Sequence, residues 1–298
     1  MRGSLIMKLK KTLPESTAPH WRAPHSTTSR LWQISIGLIP IFIASLIFDF
    51  RNSVRLTITS GGLGFIYKYF LAKAERQKKF SWDPDTLLVC AILSFLLPQD
   101  SSLIVIGTAV FFAIVIAREC FGGCGGSIFH PALIGRAAIL ALFPHASSPQ
   151  FLGGPSNFQS EIYSSLIEQI SFQMAAWGMI AVLAGGIFLV YQSLVSWRIP
   201  VFFVLTIELA SYFFGGSLRG SLAAISLFYA FFVTTDSTSP ITSFGKIVFA
   251  AGSALLAVFF SRWISSGDAF TYSILIMNSL TPLIDRYLRP AIFNRGLA

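Results

Sequence analysis

Three polar segments interrupt an otherwise apolar chain, and they hold the residues that could do chemistry. The first runs Glu119-Cys120-Phe121-Gly122-Gly123-Cys124-Gly125-Gly126-Ser127-Ile128-Phe129-His130-Pro131-Ala132-Leu133-Ile134-Gly135-Arg136-Ala137. Its clustered glycines let the backbone approach a ligand closely and present N–H groups to it. Pro131 marks a helix start, whose positive end favours an anion or an electron-rich carbonyl. The same residues also describe a tight interhelical turn with a proline start, and pattern alone favours that plainer reading. His130 titrates near neutral pH, although a structural hydrogen bond at the helix start is its simpler role. Cys120, Cys124 and His130 are three soft donors within 11 residues. A fourth is missing, so no metal site is expected and both cysteines read as small buried residues.

The second segment is Thr234-Thr235-Asp236-Ser237-Thr238-Ser239-Pro240-Ile241-Thr242-Ser243-Phe244-Gly245-Lys246. An acid closing an apolar run amid hydroxyls suits a cation or proton step, and it suits equally a cap on the following turn. The third is Met277-Asn278-Ser279-Leu280-Thr281-Pro282-Leu283-Ile284-Asp285-Arg286-Tyr287-Leu288-Arg289-Pro290. Asn278 needs a partner inside a membrane, for which a helix–helix hydrogen bond is expected. Asp285, Arg286 and Arg289 read as an interfacial anchor.

The elements that position these segments follow from composition. Of 298 residues, 54% are hydrophobic and 12% charged, against about 25% charged in soluble domains. A soluble enzyme could not bury that apolar surface, and a disordered chain would not carry it. The fold class expected is all-α, a polytopic membrane protein of about ten transmembrane helices. The apolar runs fall at 32–49, 54–72, 85–98, 102–118, 129–144, 172–194, 199–214, 220–235, 246–263 and 268–284. Several are short, as broken helices lining a site often are. Residues 1–30 form a polar N-terminal segment placed in the cytoplasm, and 31–298 a single integral membrane domain.

With the N-terminus inside, only Arg51, Arg55, Arg219 and Arg262 of the 22 basic residues fall outside. That asymmetry predicts N-in, C-in topology. It also explains the net charge of +9, so no nucleic-acid partner is expected. Five helices per half would make the halves inverted relative to each other. No internal sequence repeat is visible.

Together the three segments resemble one family, the membrane subunit called RnfD in Rnf electron-transport complexes and NqrB in the sodium-pumping NADH:quinone reductase. The first is similar to the family's Phe-Gly-Gly-x-Gly-x-Asn-x-Phe-Asn-Pro-Ala-Leu-x-Gly-Arg-Ala. The second resembles Ala-Thr-Asp-Pro-x-Ser/Thr-Ser/Ala-Pro-x-Thr-x-x-Gly, and the third Met-Asn-x-x-x-Pro-Leu-Ile-Asp-Arg-Tyr. Weaker echoes lie at Ala18-Pro19-His20 and Asp83-Pro84-Asp85. The resemblance runs in order from about residue 19 to 293.

It implies a multi-pass subunit of the bacterial inner membrane that relays electrons through flavin (FMN or riboflavin) and couples them to Na+ or H+ movement. It works with other Rnf/Nqr-type subunits and a quinone or a cytoplasmic electron donor. By the same resemblance Gly122, Gly123, Gly125, His130, Arg136 and Thr235 fall at cofactor-binding positions. Asp236, Ser239, Thr242 and Asn278 fall at ion-coupling positions, Asp236 being the best candidate carboxylate.

The chain departs from the family in two places. Many members attach FMN to the last Thr of a Ser-Gly-Ala-Thr motif in the outside loop between the fifth and sixth helices. Residues 145–158 contain no Thr, so covalent flavin is not expected and any flavin binds reversibly. Two motif asparagines are lost, one near Ser127 and one replaced by His130. The missing Thr also admits an alternative, a transporter-like relative that keeps the fold and moves flavin or another small solute.

Overall fold

The computed structural model describes residues 27–74, 84–123, 125–143, 164–214, 224–234, 238–264 and 266–288. Every regular element among them is helical. The first half contains α1 (Thr27–Gly37), α2 (Ile39–Phe48), α3 (Phe50–Ala74), α4 (Pro84–Leu96), α5 (Leu103–Phe111) and α6 (Pro131–Leu142). The second contains α7 (Ser164–Tyr191), α8 (Arg198–Phe214), α9 (Ala224–Phe228), α10 (Ser243–Phe260) and α11 (Ser266–Tyr287). α1 and α2 form one rod, broken where Pro40 enters the first turn of α2, because proline cannot donate to the preceding ladder.

Two π-turns extend the rods, Phe112–Ile116 after α5 and Tyr229–Val233 after α9. Each closes with a wide backbone bond at 2.9 Å, Ala117 N–H to Phe112 O and Thr234 N–H to Tyr229 O. Such turns are concentrated at functional sites, and here each leads directly into one of the first two polar segments.

Counting these extended rods, the described residues form ten, matching the ten apolar runs. Three of them, Thr27–Phe48, Leu103–Phe121 and Ser243–Phe260, are each long and apolar enough to cross a membrane. The sixth rod, α7, begins at Ser164, earlier than the expected 172, because its polar first turns escape a hydropathy reading. α4 and α6, with 13 and 12 residues, reach only about 20 Å and 18 Å, short of the roughly 30 Å hydrocarbon layer.

The packing of the two halves repeats. α1 packs on α4 as α7 packs on α9. α3 contacts α4 and α5 as α8 contacts α9 and α10, and α5 lies on α6 as α10 lies on α11. The halves meet where α1 and α2 cross α7 and where α6 meets α11. At the first crossing Gly185 faces the Gly37 carbonyl so closely that a Cβ would overlap it. Small residues permit such approach where lipid offers no hydrophobic drive between helices.

The core is built from residues such as Leu93, Ile106, Ile114, Leu133, Phe203, Phe228 and Phe249. Buried serines return their hydroxyls to helical carbonyls, as Ser45 does to Phe42 and Ser253 to Ala250. Outward, Ile47, Ile58, Ile104, Ile187, Leu209 and Phe213 are exposed. A membrane protein presents such a surface to lipid tails.

Candidate functional site

The first π-turn delivers Arg118 to the inside of the bundle, where it is 1% exposed. Its Nη2 lies 2.9 Å from Asp85 Oδ2, at the start of α4, and its Nη1 bonds the Thr86 hydroxyl. Glu119 is 3.9 Å from Arg118 and accepts from Lys68 of α3 at 2.6 Å. Two cations and two carboxylates thus tie three helices together at the entry to the glycine segment. Charges this deep persist when each is paired and hydrogen-bonded.

Beyond Glu119 the backbone reverses. Gly122, Gly123 and Gly125 have φ of +97°, +85° and +83°, a left-handed region that disfavours a side chain. No atom lies within 4 Å of where a Cβ would stand on any of the three. These glycines therefore serve the turn and leave open space above it. Gly123 N–H returns to Arg118 O at 3.0 Å, closing the loop. His130 then takes the extended conformation required before proline, and Pro131 opens α6.

The other half supplies the facing wall. Thr242 caps α10, its Oγ1 accepting from Gly245 N–H at 3.1 Å. The third polar segment holds this wall from behind. Asp285 accepts from Ile241 N–H at 3.1 Å, and the Thr281 hydroxyl donates to Thr238 O at 3.2 Å. Asp285 thus clamps a neighbouring segment.

Between the two walls lies a cavity of about 490 Å³. Gly123, Gly125 and Ser127 line one side, and Ser239, Pro240 and Ile241 the other. Arg30, Arg118 and Lys246 bring three cationic groups to it and Asp85 one carboxylate. Ligand pockets fall between about 300 and 1,000 Å³, so the space suits a small organic cofactor. A second space of about 20 Å³ shares Ile34, Asp85 and Val89 with it and reaches His130 and Phe231. A volume of that size holds about one water.

The structure brings Gly123, Gly125 and Ser239 onto one cavity, sets Gly122 in the same turn, and places His130 beside the adjoining space. Arg136 is not among the lining residues; its guanidinium donates to Asp268 of α11 at 2.7 Å. Asn278 is fully buried, and neither its Oδ1 nor its Nδ2 meets a hydrogen-bond partner among the described residues. Among the described residues the expected helix–helix hydrogen bond is not formed. Pro282, four residues on, also removes the helical donor to the Asn278 carbonyl. Thr235, Asp236 and Cys124 lie outside the described residues. Cys120 is exposed rather than buried, because the turn after Arg118 carries it away from the core.

Sequence reasoning singled out neither Arg118 nor Asp268 as a site residue. The available signal was a charge inside or at the edge of an apolar run, which is a functional hypothesis by default. Arg118 ends the run Phe111–Ala117, and Asp268 opens the last one.

Known proteins resemble this chain along nearly its whole length. Residues 15–294 match the model of the NQR2, RnfD, RnfE family. A Clostridium ljungdahlii protein, named as part of a proton-translocating ferredoxin:NAD(+) oxidoreductase complex, is 28% identical over 93% of this chain and 95% of its own. An Acetobacterium woodii protein, from a Na(+)-translocating ferredoxin:NAD(+) oxidoreductase complex, is 28% identical over 94% and 95%. A Marinobacter nauticus protein, from an ion-translocating oxidoreductase complex, is 26% identical over 96% and 97%. With nearly the whole chain matched and its three polar segments gathered about one cavity and its supporting wall, this protein belongs to the NQR2, RnfD, RnfE family.

Proposed function

We propose that the chain is a membrane subunit of a redox-driven, ion-translocating electron-transport complex, with both termini on the cytoplasmic side of a bacterial inner membrane. The observation that carries this reading is the cavity between the glycine turn and the Ser239–Ile241 wall, in a chain whose relatives are components of complexes of that kind. Flavin fits the cavity. Left-handed Gly123 and Gly125 line it and leave open space for a flat ring, and Arg30, Arg118 and Lys246 supply donors for its carbonyls or a phosphate. When bound, flavin would accept electrons and pass them on. The chain's own residues orient it. Gly123 and Gly125 would let it approach the backbone closely, Arg118 is fixed by Asp85, and the Asp285 clamp holds the opposite wall in place.

The partners are the other membrane subunits of the complex and a quinone or cytoplasmic electron donor, with Na+ or H+ as the coupling ion. Asn278 supports an ion step, because a buried amide and a carbonyl freed by Pro282 are oxygen ligands within the bundle. The test is affinity purification of the tagged chain from native membranes in mild detergent. The reading expects co-purifying membrane subunits and a complex that moves ions when given a reductant. A chain that purifies alone and carries a solute without a reductant would support the transporter alternative instead.

A further inference from the structure

The cavity uses the C-terminal end of α11. The opposite end of the same helix carries a second polar cluster that the flavin site does not explain. Arg136, on α6, is 0% exposed. Its Nη2 bonds Asp268 Oδ1 at 2.7 Å, while Nε and Nη1 find no acceptor among the described residues. One helical turn beyond Asp268, Thr271 shares a hydrogen bond of 2.9 Å with Tyr229, in the second π-turn. Both of these hydroxyl residues are also fully buried.

The cluster therefore joins α6 of the first half to the second π-turn and α11 of the second. An ion pair inside a membrane is expensive, and such groups are kept where charge or protons move. The unmet guanidinium donors sharpen the point. Leaving buried donors unsatisfied is costly, so a brace alone would be poorly built this way.

Asp268, Thr271, Asn278, Thr281 and Asp285 recur at helical spacing and lie on one face of α11. Asp268 and Asp285 are 17 residues apart, about 25 Å along the axis. That face joins the Arg136 cluster to the wall of the cavity.

We propose that Asp268 is a proton-exchanging carboxylate of the translocation path, paired with Arg136 and served by the Tyr229–Thr271 hydroxyl pair. This rests on the ion-translocating reading above. Hydroxyls both donate and accept hydrogen bonds, as a proton relay requires. Residues three apart on a helix are neighbours, so Thr271 stands next to the carboxylate. A proton arriving on Asp268 neutralises it and releases Arg136. The proton leaves as the pair re-forms. One proton is taken up and one given out, with no other bond made or broken.

The experiment uses the intact complex in sealed membrane vesicles energised with reductant, following proton movement with a pH-sensitive dye and Na+ uptake separately. Asp268→Asn mimics the protonated acid and should cut proton movement per electron by at least about tenfold, as losing a positioned proton-transfer group does. Tyr229→Phe should lower it several-fold with the ion pair intact. The deciding variant is Arg136→Met with Asp268→Leu. Replacing a buried pair by apolar residues of similar volume preserves folding in many proteins. The double variant should assemble with wild-type subunit and flavin content yet move no protons. Wild-type proton movement in it, or in Asp268→Asn, overturns the proposal, as does loss of Na+ uptake alone. If the double variant does not assemble, unchanged proton movement in Tyr229→Phe overturns it. A wild-type complex that moves no ion with reductant overturns the functional reading itself, and this assignment with it.

Discussion

The Asp285 carboxylate accepts the main-chain N–H of Ile241 at 3.1 Å from Oδ1 and 3.3 Å from Oδ2. The last helix thereby grips the segment that walls the cavity. Hydrogen bonds to charged groups contribute about 1.5–3 kcal/mol. Asp285→Ala should lower the unfolding temperature in detergent and weaken cofactor retention, while Asp285→Asn, which can still accept, should do so less. Equal effects of the two, followed by thermal unfolding and cofactor content, would argue against the clamp.

Arg118 neutralises Asp85 and Glu119 from a buried position. Removing one partner of such a pair costs about 3–5 kcal/mol, because a buried charge is left uncompensated. Arg118→Met should therefore assemble poorly. Adding Asp85→Asn to it should recover part of the loss. A double variant no better than the single would contradict the network, as read from membrane expression and thermal unfolding.

The glycine turn should respond through its backbone. Gly122→Ala and Gly123→Ala meet no atom within 4 Å, yet each forces a side chain into a left-handed conformation costing about 1–3 kcal/mol. The expectation is a complex that assembles and binds flavin more weakly, measured by equilibrium dialysis.

Gly185 should fail for the opposite reason. Its backbone is ordinary, but an added Cβ would overlap the Gly37 carbonyl where the two halves cross. Overpacking of this kind costs about 1–3 kcal/mol. Gly185→Ala should lower the unfolding temperature with flavin affinity unchanged in whatever folds.

Much of this architecture was legible in the sequence. Apolar runs alone located the ten rods, since lipid-facing positions such as Ile104 and Ile187 must be apolar for the same reason as core positions. The glycine turn was legible as backbone freedom. The π-turns were not, because one inserted residue leaves hydropathy unchanged. The Arg136–Asp268 pair was hidden by its separation of 132 residues. The Asp285 clamp was hidden too, because a carboxylate near a helix end looks alike whether it faces headgroups or a neighbouring backbone.

The most direct test of the central claim is the spectrum of the purified complex before and after unfolding. A reversibly held flavin gives absorbance near about 450 nm that bleaches on reduction, the chromophore being the cofactor's own. Unfolding should release it wholly into the filtrate, and Gly123→Ala should lower its content. A complex with no such band, or a fluorescent flavin that stays with this chain on a denaturing gel, would contradict the account.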